Sequence, residues 1–301
     1  MRWYFAIDEA GGLSGTGALA RLMVLSARAI GGLEPVLLYH GARNEFTAWM
    51  EHHGVRVLST EPRFLGMFTR AQAAGTFAPH SLGHWLRLEI PAMEHEHEFV
   101  LYTDCDIIFL RGFDLSKLRP KVFAAAPEML PDNWNYFNSG VMLLNVPAMR
   151  ATYPALEEQL NFRINSGNFI RYNDQFALNE AYRGLWDRLD PLFNYKPYWP
   201  FSRHAAILHL HGPKPENLEA MVSGNWHGTD QTALFFSKML NACARNYIDW
   251  CTWLGDYLQT VDFHEALRFT RLASALIRHQ RKTPASADLS FMNIKLFEDS
   301  H

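Results

Sequence analysis

Two aspartates separated by a single residue, Asp104 and Asp106, have the type and spacing that most directly suggest chemistry. In an extended chain such residues point to the same side, so both carboxylates can reach one cation. Apolar chain runs on either side of the pair, and two unpaired charges near a core would be costly. Mn²⁺ or Mg²⁺ would offset their repulsion and leave coordination positions for diphosphate oxygens. The alternative is a solvated turn that carries two acids.

The segments that would position these aspartates alternate between strand-like and helix-like patterns. A βαβαβ opening predicts an α/β fold with a mostly parallel sheet flanked by helices, in which ligands gather at the carboxyl ends of the strands. Asp8 lies at one such end. The opening elements are predicted as a strand at 3–7, a helix at 18–30, a strand at 35–39, a helix at 45–53 and a strand at 55–58.

Further elements follow along the chain. They are predicted as a helix at about 81–91, strands at 99–103, 136–146 and 205–210, an apolar run at 107–110, and a helix at 173–181. From about residue 231 the sequence is typical of helices. The glycine-rich segment 11–17 lacks the third glycine of a dinucleotide-binding loop. It is interpreted as a flexible loop, which could close over a nucleotide.

Bulk composition excludes several classes of protein. The 301 residues are 48% apolar, enough for a large buried core, and the formal charge of -3 makes nucleic acid an unexpected main partner. No run approaches the roughly 20 apolar residues that span a bilayer. The apolar stretch at the N-terminus is too short for the core of a signal peptide. Three sparse cysteines suit a reducing compartment. The predicted location is therefore the cytoplasm.

Four motifs occur in the order in which they occur in glycosyltransferase family 8, and through them the chain resembles that family over about residues 1–216. They are LYTDCD at 101–106, YFNSGVMLLN at 136–145, NDQFALN at 173–179 and HLHGPKP at 209–215. The family includes glycogenin-like enzymes and bacterial lipopolysaccharide galactosyl- and glucosyltransferases. The resemblance implies a GT-A fold with a Rossmann-like sheet. It also implies retaining transfer of a sugar from a UDP-sugar, usually with Mn²⁺.

The resemblance assigns the metal ligands residue by residue. Asp104 and Asp106 match the metal-binding carboxylates, and His209, which opens the His-x-x-Gly pattern, matches the third protein ligand. A neutral imidazole is an acceptable ligand for Mn²⁺. His211, two residues further on, remains the competing candidate.

The same motif implies contacts to the diphosphate of the sugar nucleotide. Gly212 would let the backbone approach a phosphate, and Lys214 would supply a compact positive charge. Here the sequence departs from the family, because Lys214 follows Gly212 after one residue and Glu216 replaces the usual aromatic residue. An ordinary surface lysine is the alternative for Lys214.

The base and the phosphates of the nucleotide would meet residues near the N-terminus and in the segment 84–88. Asp8 resembles the acid that binds uracil, and Ala6 and Ile7 would offer backbone groups to the base. Arg87 resembles the arginine that contacts the transferred sugar and phosphate. A charge on the surface of a helix is the alternative for Arg87.

The sugar would lie against the second and third motifs. Asn138, Ser139 and Gly140 would line its pocket, and Asp174 and Gln175, at the start of a predicted helix, would face it as the catalytic residues. Asp174 could instead only cap its helix. Both a covalent intermediate and a front-side transfer, in which a leaving phosphate oxygen assists the acceptor hydroxyl, are compatible with these residues.

The C-terminal segment, 231–301, is predicted as a helical extension of a catalytic domain at 1–230. Basic residues punctuate an apolar pattern at 267–282, in which Phe269, Leu272, Ala273 and Leu276 share one side of a helix. That side could attach peripherally to an anionic membrane, where a lipid-linked acceptor would be found, at the inner face of the membrane. It could equally pack on the catalytic domain.

The main functional prediction is a Mn²⁺- or Mg²⁺-dependent retaining glycosyltransferase that moves a hexose from a UDP-sugar to a saccharide or glycolipid acceptor. A metal-dependent nucleotidyltransferase could share the paired aspartates and the lysine, but it would attack phosphorus and would not need Asn138, Ser139 and Gly140. A binding protein for nucleotide sugars or glycans that lacks turnover is the non-enzymatic alternative.

Overall fold

A computed structural model describes residues 1–76, 82–166 and 173–283 of the protein. The described residues form two β-sheets. The larger has seven strands in the order β3-β2-β1-β4-β7-β6-β8, in which β7 runs antiparallel to both neighbours and the other pairs are parallel. The strands are β1 (Arg2–Asp8), β2 (Glu34–His40), β3 (Arg56–Ser59), β4 (Phe99–Thr103), β5 (Ile107–Phe109), β6 (Phe123–Pro127), β7 (Phe137–Asn145), β8 (Asp187–Arg188) and β9 (Ile207–His209). The predicted α/β fold with a mostly parallel sheet is confirmed.

Helices cover both faces of the larger sheet. Successive side chains of a strand point to opposite faces, and in β1 Tyr4 packs in one hydrophobic cluster while Trp3 and Phe5 pack in another. The helices are α1 (Glu9–Gly12), α2 (Gly15–Ile30), α3 (Glu45–His52), α4 (Leu65–Ala73), α5 (Leu82–Trp85), α6 (Ile90–Met93), α7 (Val146–Asn165), α8 (Asp174–Ala181), α9 (Pro215–Ser223), α10 (Gln231–Tyr257) and α11 (Phe263–Lys282).

The centre of the larger sheet contains a topological switch. The chain leaves β1 for β2 on one side, and β4 pairs with β1 on the other. Ligands of open α/β sheets bind in the crevice outside the carboxyl ends of the strands at such a point. Asp8 ends β1 and Asp104 directly follows β4, so both lie at this crevice.

The smaller sheet joins two distant parts of the chain. Strands β5 and β9 pair antiparallel, with Ile107 opposite His209. The ladder continues where Leu210 N donates to Asp106 O at 2.8 Å. The apolar residues of β5 and β9 are buried, which explains why short three-residue strands pair here.

The glycine-rich segment is helical, so its interpretation as a flexible loop is wrong. It contributes α1 and the start of α2, where the Ser14 side chain accepts a hydrogen bond from Thr16 N as an N-cap. A Cβ at Gly17 would lie 2.0 Å from Gly12 O. The glycines are therefore needed for the close packing of two helices.

The predicted helix at 81–91 is broken into shorter pieces. Residues 82–93 form α5, a 3-10 turn at Leu86–Glu89 and α6, while Ser81 lies outside the described residues. Pro91 lies at the start of α6 and has no N–H to donate back along a continuous helix.

The C-terminal helices pack on the rest of the protein. Phe269, Leu272, Ala273 and Leu276 of α11 are buried in one cluster with residues of α10 and with Leu208 of β9. The side of α11 that could have met a membrane therefore packs inward, as the alternative interpretation proposed. Within the described residues, no helix is long and apolar enough to cross a membrane.

Candidate active site

A cavity of about 640 Å³ opens at the carboxyl ends of β1 and β4. It brings together residues that are distant in the sequence, including most of the predicted site. The predicted residues that line it are Ala6, Ile7, Asp8, Arg87, Asp104, Asp106, Asn138, Ser139, Asp174, Gln175, His209 and Lys214. Gly140 and Gly212 are not among its lining residues.

Three potential metal ligands converge on one side of the cavity. One carboxylate oxygen each from Asp104 and Asp106 and one ring nitrogen of His209 lie within 4.8 Å of one another. The pairing of β5 with β9 produces this approach, and His209 Nε2 lies 3.2 Å from Asp106 Oδ1. His211 is directed elsewhere, with Nε2 3.1 Å from Glu128 Oε1 and Nδ1 3.0 Å from the Tyr198 hydroxyl.

The chemistry of these three residues fits a divalent cation. Burial lowers the pKa of His209 to about 4, so its imidazole is neutral near pH 7 and can act as a ligand. Burial raises the pKa of Asp106, but Lys214 and His209 outweigh it and hold that pKa well below its usual range. A neutral imidazole and two carboxylates form a ligand set that suits Mn²⁺.

Lys214 lies against Asp106, one of the three potential metal ligands. Its Nζ forms an ion pair with Asp106 and donates to Leu210 O at 2.7 Å. The ammonium therefore neutralises Asp106 in the same place where a cation would do so. Lys214 is half-buried at the cavity, which excludes the ordinary surface lysine.

Arg87 is buried and contacts residues from three separate segments that line the cavity, so it is not a charge on the surface of a helix. Its Nη2 donates to Asp104 Oδ1 at 2.7 Å, its Nη1 to Ser139 O at 2.7 Å, and its Nε lies 2.9 Å from Asp174 Oδ2. Burial lowers the pKa of Arg87, but Asp104 and Asp174 outweigh it and raise that pKa above its usual value. The guanidinium thus stays charged and holds both carboxylates.

Gln175 lies at the centre of an amide network that lines another part of the cavity. Its Oε1 accepts from Ser139 N at 2.8 Å and from Asn138 Nδ2 at 3.2 Å, and its Nε2 donates to Glu128 Oε2 at 3.1 Å. Asn173 caps α8 by accepting from Phe176 N, so the N-cap is not Asp174. The buried Asp174 is instead fixed by Arg87.

The two glycines predicted to meet the sugar and phosphate serve other contacts. A Cβ at Gly140 would lie 2.2 Å from His209 Cε1, so Gly140 makes room for the imidazole. Gly212 has φ of 88°, and a Cβ there would lie 2.6 Å from Met239 Sδ of α10. These close contacts explain why glycine occupies both positions, and the predicted contacts to the sugar and the phosphate stay predictions.

The residues predicted to read the base are already engaged within the protein. Asp8 Oδ1 accepts from Gly11 N at 2.8 Å and Oδ2 accepts from Gly83 N at 3.0 Å. The carbonyl oxygen of Ala6 accepts from Cys105 Sγ at 3.3 Å. A base would have to use the remaining lone pairs of these oxygens or the backbone near Ile7.

Several residues of the site have no counterpart in the sequence predictions. Glu128 lines the cavity, and burial raises its pKa whereas His211 and Lys196 lower it, to a net value of about 2. Its only sequence signal is an acid that directly follows the apolar run 123–127. Lys196, with Asn194, lies beneath the site and is fully buried. A single lysine within the aromatic run 193–201 was the available hint.

No family model and no curated protein sequence matches this chain. Among solved structures, the galactosyltransferase LgtC in complex with donor and acceptor sugar analogues matches it with a TM-score of 0.55 at 19% identity, over 94% of this chain and 100% of that chain. This chain has the GT-A fold.

Two other GT-A structures extend the comparison. The apo form of the glycosyltransferase GlyE of Streptococcus pneumoniae TIGR4 matches with a TM-score of 0.52 at 18% identity, over 79% of this chain and 59% of that chain. The bifunctional glycosyltransferase WbbM in its apo form matches with a TM-score of 0.51 at 14% identity, over 79% and 51%. At these identities the similarity establishes the fold, and membership of glycosyltransferase family 8 stays a prediction.

Proposed function

We propose that this protein is a divalent-metal-dependent glycosyltransferase that moves a hexose from a UDP-sugar to a saccharide or glycolipid acceptor with retention of configuration. The observation that carries the proposal is the convergence of Asp104, Asp106 and His209 on one side of the cavity. Asp174 and Gln175 line the same cavity. The solved LgtC complex, which has the same fold, contains donor and acceptor sugar analogues.

The charges around the cavity match those that develop during glycosyl transfer. As the bond from the anomeric carbon to the phosphate oxygen breaks, negative charge grows on the leaving diphosphate and positive charge grows on the sugar. A bound Mn²⁺ would supply Lewis-acid stabilisation of the diphosphate. Lys214 has a flexible stem and could turn from Asp106 to a phosphate oxygen once that carboxylate has another counter-ion.

The surroundings of Asp174 favour a front-side transfer. Its carboxylate is buried and lies 2.9 Å from Arg87 Nε, which reduces its capacity to attack the anomeric carbon. Gln175 is neutral, and its amide oxygen already accepts hydrogen bonds from Ser139 and Asn138. We therefore assign both residues to the binding of the sugar and the stabilisation of its positive charge, with a phosphate oxygen assisting the acceptor hydroxyl.

A glycolipid acceptor would require contact with a membrane surface, and we assign that contact to the outward face of α11. Phe263 is 60% exposed, and Leu267 and Ile277 are each 38% exposed. Arg278 and Arg281 are exposed on the same helix. Apolar and basic side chains together favour binding to anionic lipid surfaces. Serine at the three apolar positions should reduce cosedimentation with anionic vesicles, and unchanged binding would contradict this part of the proposal.

The central experiment measures UDP release from a panel of UDP-hexoses with Mn²⁺, Mg²⁺ or EDTA, and then transfer to saccharide acceptors. We expect metal-dependent release that increases with a suitable acceptor, and a product whose anomeric configuration by NMR matches that of the sugar nucleotide. Attack at phosphorus would identify a nucleotidyltransferase. Binding of UDP-sugars without turnover would identify a binding protein, and either outcome would overturn the proposal.

A further inference from the structure

A buried lysine lies beneath the metal-binding residues and has no part in the reaction proposed above. Lys196 is 0% exposed, and its Nζ donates to Asn194 O at 3.0 Å, to Asn138 Oδ1 at 3.2 Å and to Asn194 Oδ1. Burial lowers the pKa of Lys196 to about 7 although Glu128 raises it, and the protonated form has three protons for these three carbonyl oxygens. Within the described residues Lys196 forms no ion pair. Its Nζ also lies 5.6 Å from the centre of the Trp199 ring. A buried amine without an ion pair is costly, and its position needs an explanation.

Asn138 and Lys196 fix the orientation of the Asn194 amide. Gly140 N donates to Asn138 Oδ1 at 3.0 Å, so that atom is an oxygen, and the side-chain atom of Asn194 that faces it must be Nδ2. The Nδ2 of Asn194 then donates to Asn138 Oδ1 at 2.8 Å. A flipped amide would lose this hydrogen bond and would place its N–H groups where Lys196 Nζ donates, so Lys196 and Asn138 together hold Asn194 in one orientation.

The orientation of Asn194 in turn decides the tautomer of His209. Asn194 Oδ1 lies 3.0 Å from His209 Nδ1. A carbonyl oxygen accepts, so Nδ1 must carry a proton. In a neutral imidazole the lone pair is then on Nε2. This nitrogen lies 3.2 Å from Asp106 Oδ1, within the group of ligand atoms that includes Asp104.

The ring of His209 is also confined sideways. Gly140 lies so close that a Cβ would be 2.2 Å from Cε1. Gly140 N donates to Asn138 Oδ1 at 3.0 Å, the same oxygen that accepts from Lys196 and Asn194. Lys196 thus donates both to Asn194, which contacts the imidazole, and to Asn138, which accepts from Gly140.

We infer that Lys196 is a positioning residue that acts through Asn194 to hold His209 with its proton on Nδ1, so that Nε2 is free to bind the divalent cation. The inference rests on the proposed function for the purpose of the cation. The hydrogen bonds from Lys196 to Asn194 and between Asn194 and His209 are present in the folded protein before any ligand binds. Outer partners of metal-binding histidines commonly fix the tautomer in this way.

The first test reads the tautomer in the wild-type protein without metal. Long-range ¹H–¹⁵N correlation spectra of histidine-labelled protein near neutral pH, with His209 assigned from His209→Gln, should show a protonated Nδ1. An unprotonated Nδ1 would overturn the inference. This measurement needs no folded variant at Lys196, and it does not depend on turnover.

The second test measures Mn²⁺ binding by calorimetry in Lys196→Met, Asn194→Leu and the double variant, with the exposed Lys238→Met as control. Each buried change should weaken Mn²⁺ binding about 10- to 100-fold. The double variant should bind no more weakly than the weaker single variant, because both changes act through one imidazole.

The control should bind as the wild type does. An unchanged Mn²⁺ affinity in Lys196→Met, or fully additive losses of affinity in the double variant, would overturn the inference. If the wild-type protein bound no divalent cation at all, the proposed function would fail, while the tautomer measurement would still decide the inference about Lys196. If the variants did not fold, as judged by circular dichroism, the tautomer measurement alone would decide it.

Discussion

The two sides of the cavity hold their side chains by different physics. The metal side, formed by Asp104, Asp106, His209 and Lys214, is held by opposite charges at close range. The amide side, centred on Gln175, is held by hydrogen bonds between amide and hydroxyl groups, with Glu128 accepting at its edge and Lys196 donating to Asn138.

This difference indicates which side can change during a reaction cycle. An ion pair such as Lys214 with Asp106 can be exchanged for another counter-ion, because the carboxylate needs only a nearby positive charge. An amide network with its donors and acceptors matched cannot be rearranged without leaving a buried polar group unpaired. The metal side is therefore suited to binding and releasing a charged ligand, and the amide side to holding a fixed shape.

The largest effect is expected from breaking the metal side. Asp106→Asn removes a charged ligand that no neighbour replaces, and we expect UDP-sugar turnover with Mn²⁺ to fall about 10³-fold, the scale of losing one aimed electrostatic group. Steady-state UDP release provides the measurement. Asp249→Asn, which alters a pair with Arg245 on α10, should leave turnover unchanged. Retention of more than about a tenth of the activity would contradict the role of Asp106.

Removing the guanidinium of Arg87 tests how Asp104 and Asp174 are held together. Arg87→Met leaves the carboxylates of Asp104 and Asp174 without their shared partner, and breaking such a buried group costs about 3 kcal/mol or more. Urea unfolding should therefore show a lower free energy of unfolding. The exposed Arg245→Met should lose about 0.5 kcal/mol or less. A stability equal to that of the wild type would show that Arg87 does not hold these acids.

Glu128, the carboxylate at the edge of the amide side, should make the free energy of unfolding depend on pH in acid. The folded pKa of Glu128 is about 2, below its ordinary value of 4.5, so the folded state binds this proton more weakly. The stabilisation is fully present above about pH 4.5 and is lost as the pH falls toward 2, with a maximum of about 3 kcal/mol.

In Glu128→Gln this acid-dependent part of the free energy of unfolding should disappear. The measurement is denaturant unfolding at several pH values between about 5 and 3. Glu61→Gln, at an exposed position, should keep the wild-type dependence. The same slope in Glu128→Gln as in the wild type would contradict the assignment.

Alanine at Gly140 and alanine at Gly212 should affect different properties of the protein. Gly140→Ala would press on the His209 ring and should weaken Mn²⁺ binding about tenfold. Gly212→Ala would meet Met239 at a positive φ and should lower the melting temperature, with Mn²⁺ affinity within about twofold of the wild type. Calorimetry and thermal unfolding of both variants make the comparison. Equal effects on Mn²⁺ affinity would show that Gly140 has no special relation to His209.

The sequence was informative where local pattern and structure agree. Apolar runs predicted β1, β4 and β7 closely, and the order of the four motifs indicated that Asp104, Asp106 and His209 would meet. Strand β6 and helix α7 have no counterpart among the predicted elements. The alanine-rich run of β6 lacks the alternation that marks a half-buried strand, because all five of its residues are buried.

The remaining differences come from partners that are distant in the sequence. Glycine is locally permissive, so 11–17 resembled a loop, but the Ser14 cap and the contact of Gly17 with Gly12 make the segment helical. Lys196 lies in irregular chain, and its partner Asn138 is 58 residues away. Neither propensity nor spacing encodes such a contact.

The pairing of β5 with β9 gives the metal-binding residues a second consequence, for folding. A cation held by Asp104, Asp106 and His209 would tie together segments roughly a hundred residues apart, and an unfolded chain could not offer the three ligands together. Its binding free energy would then add to the free energy of unfolding. The temperature at which the protein unfolds should therefore rise with the concentration of the cation, so the same ion would serve as a reversible cross-link of the fold.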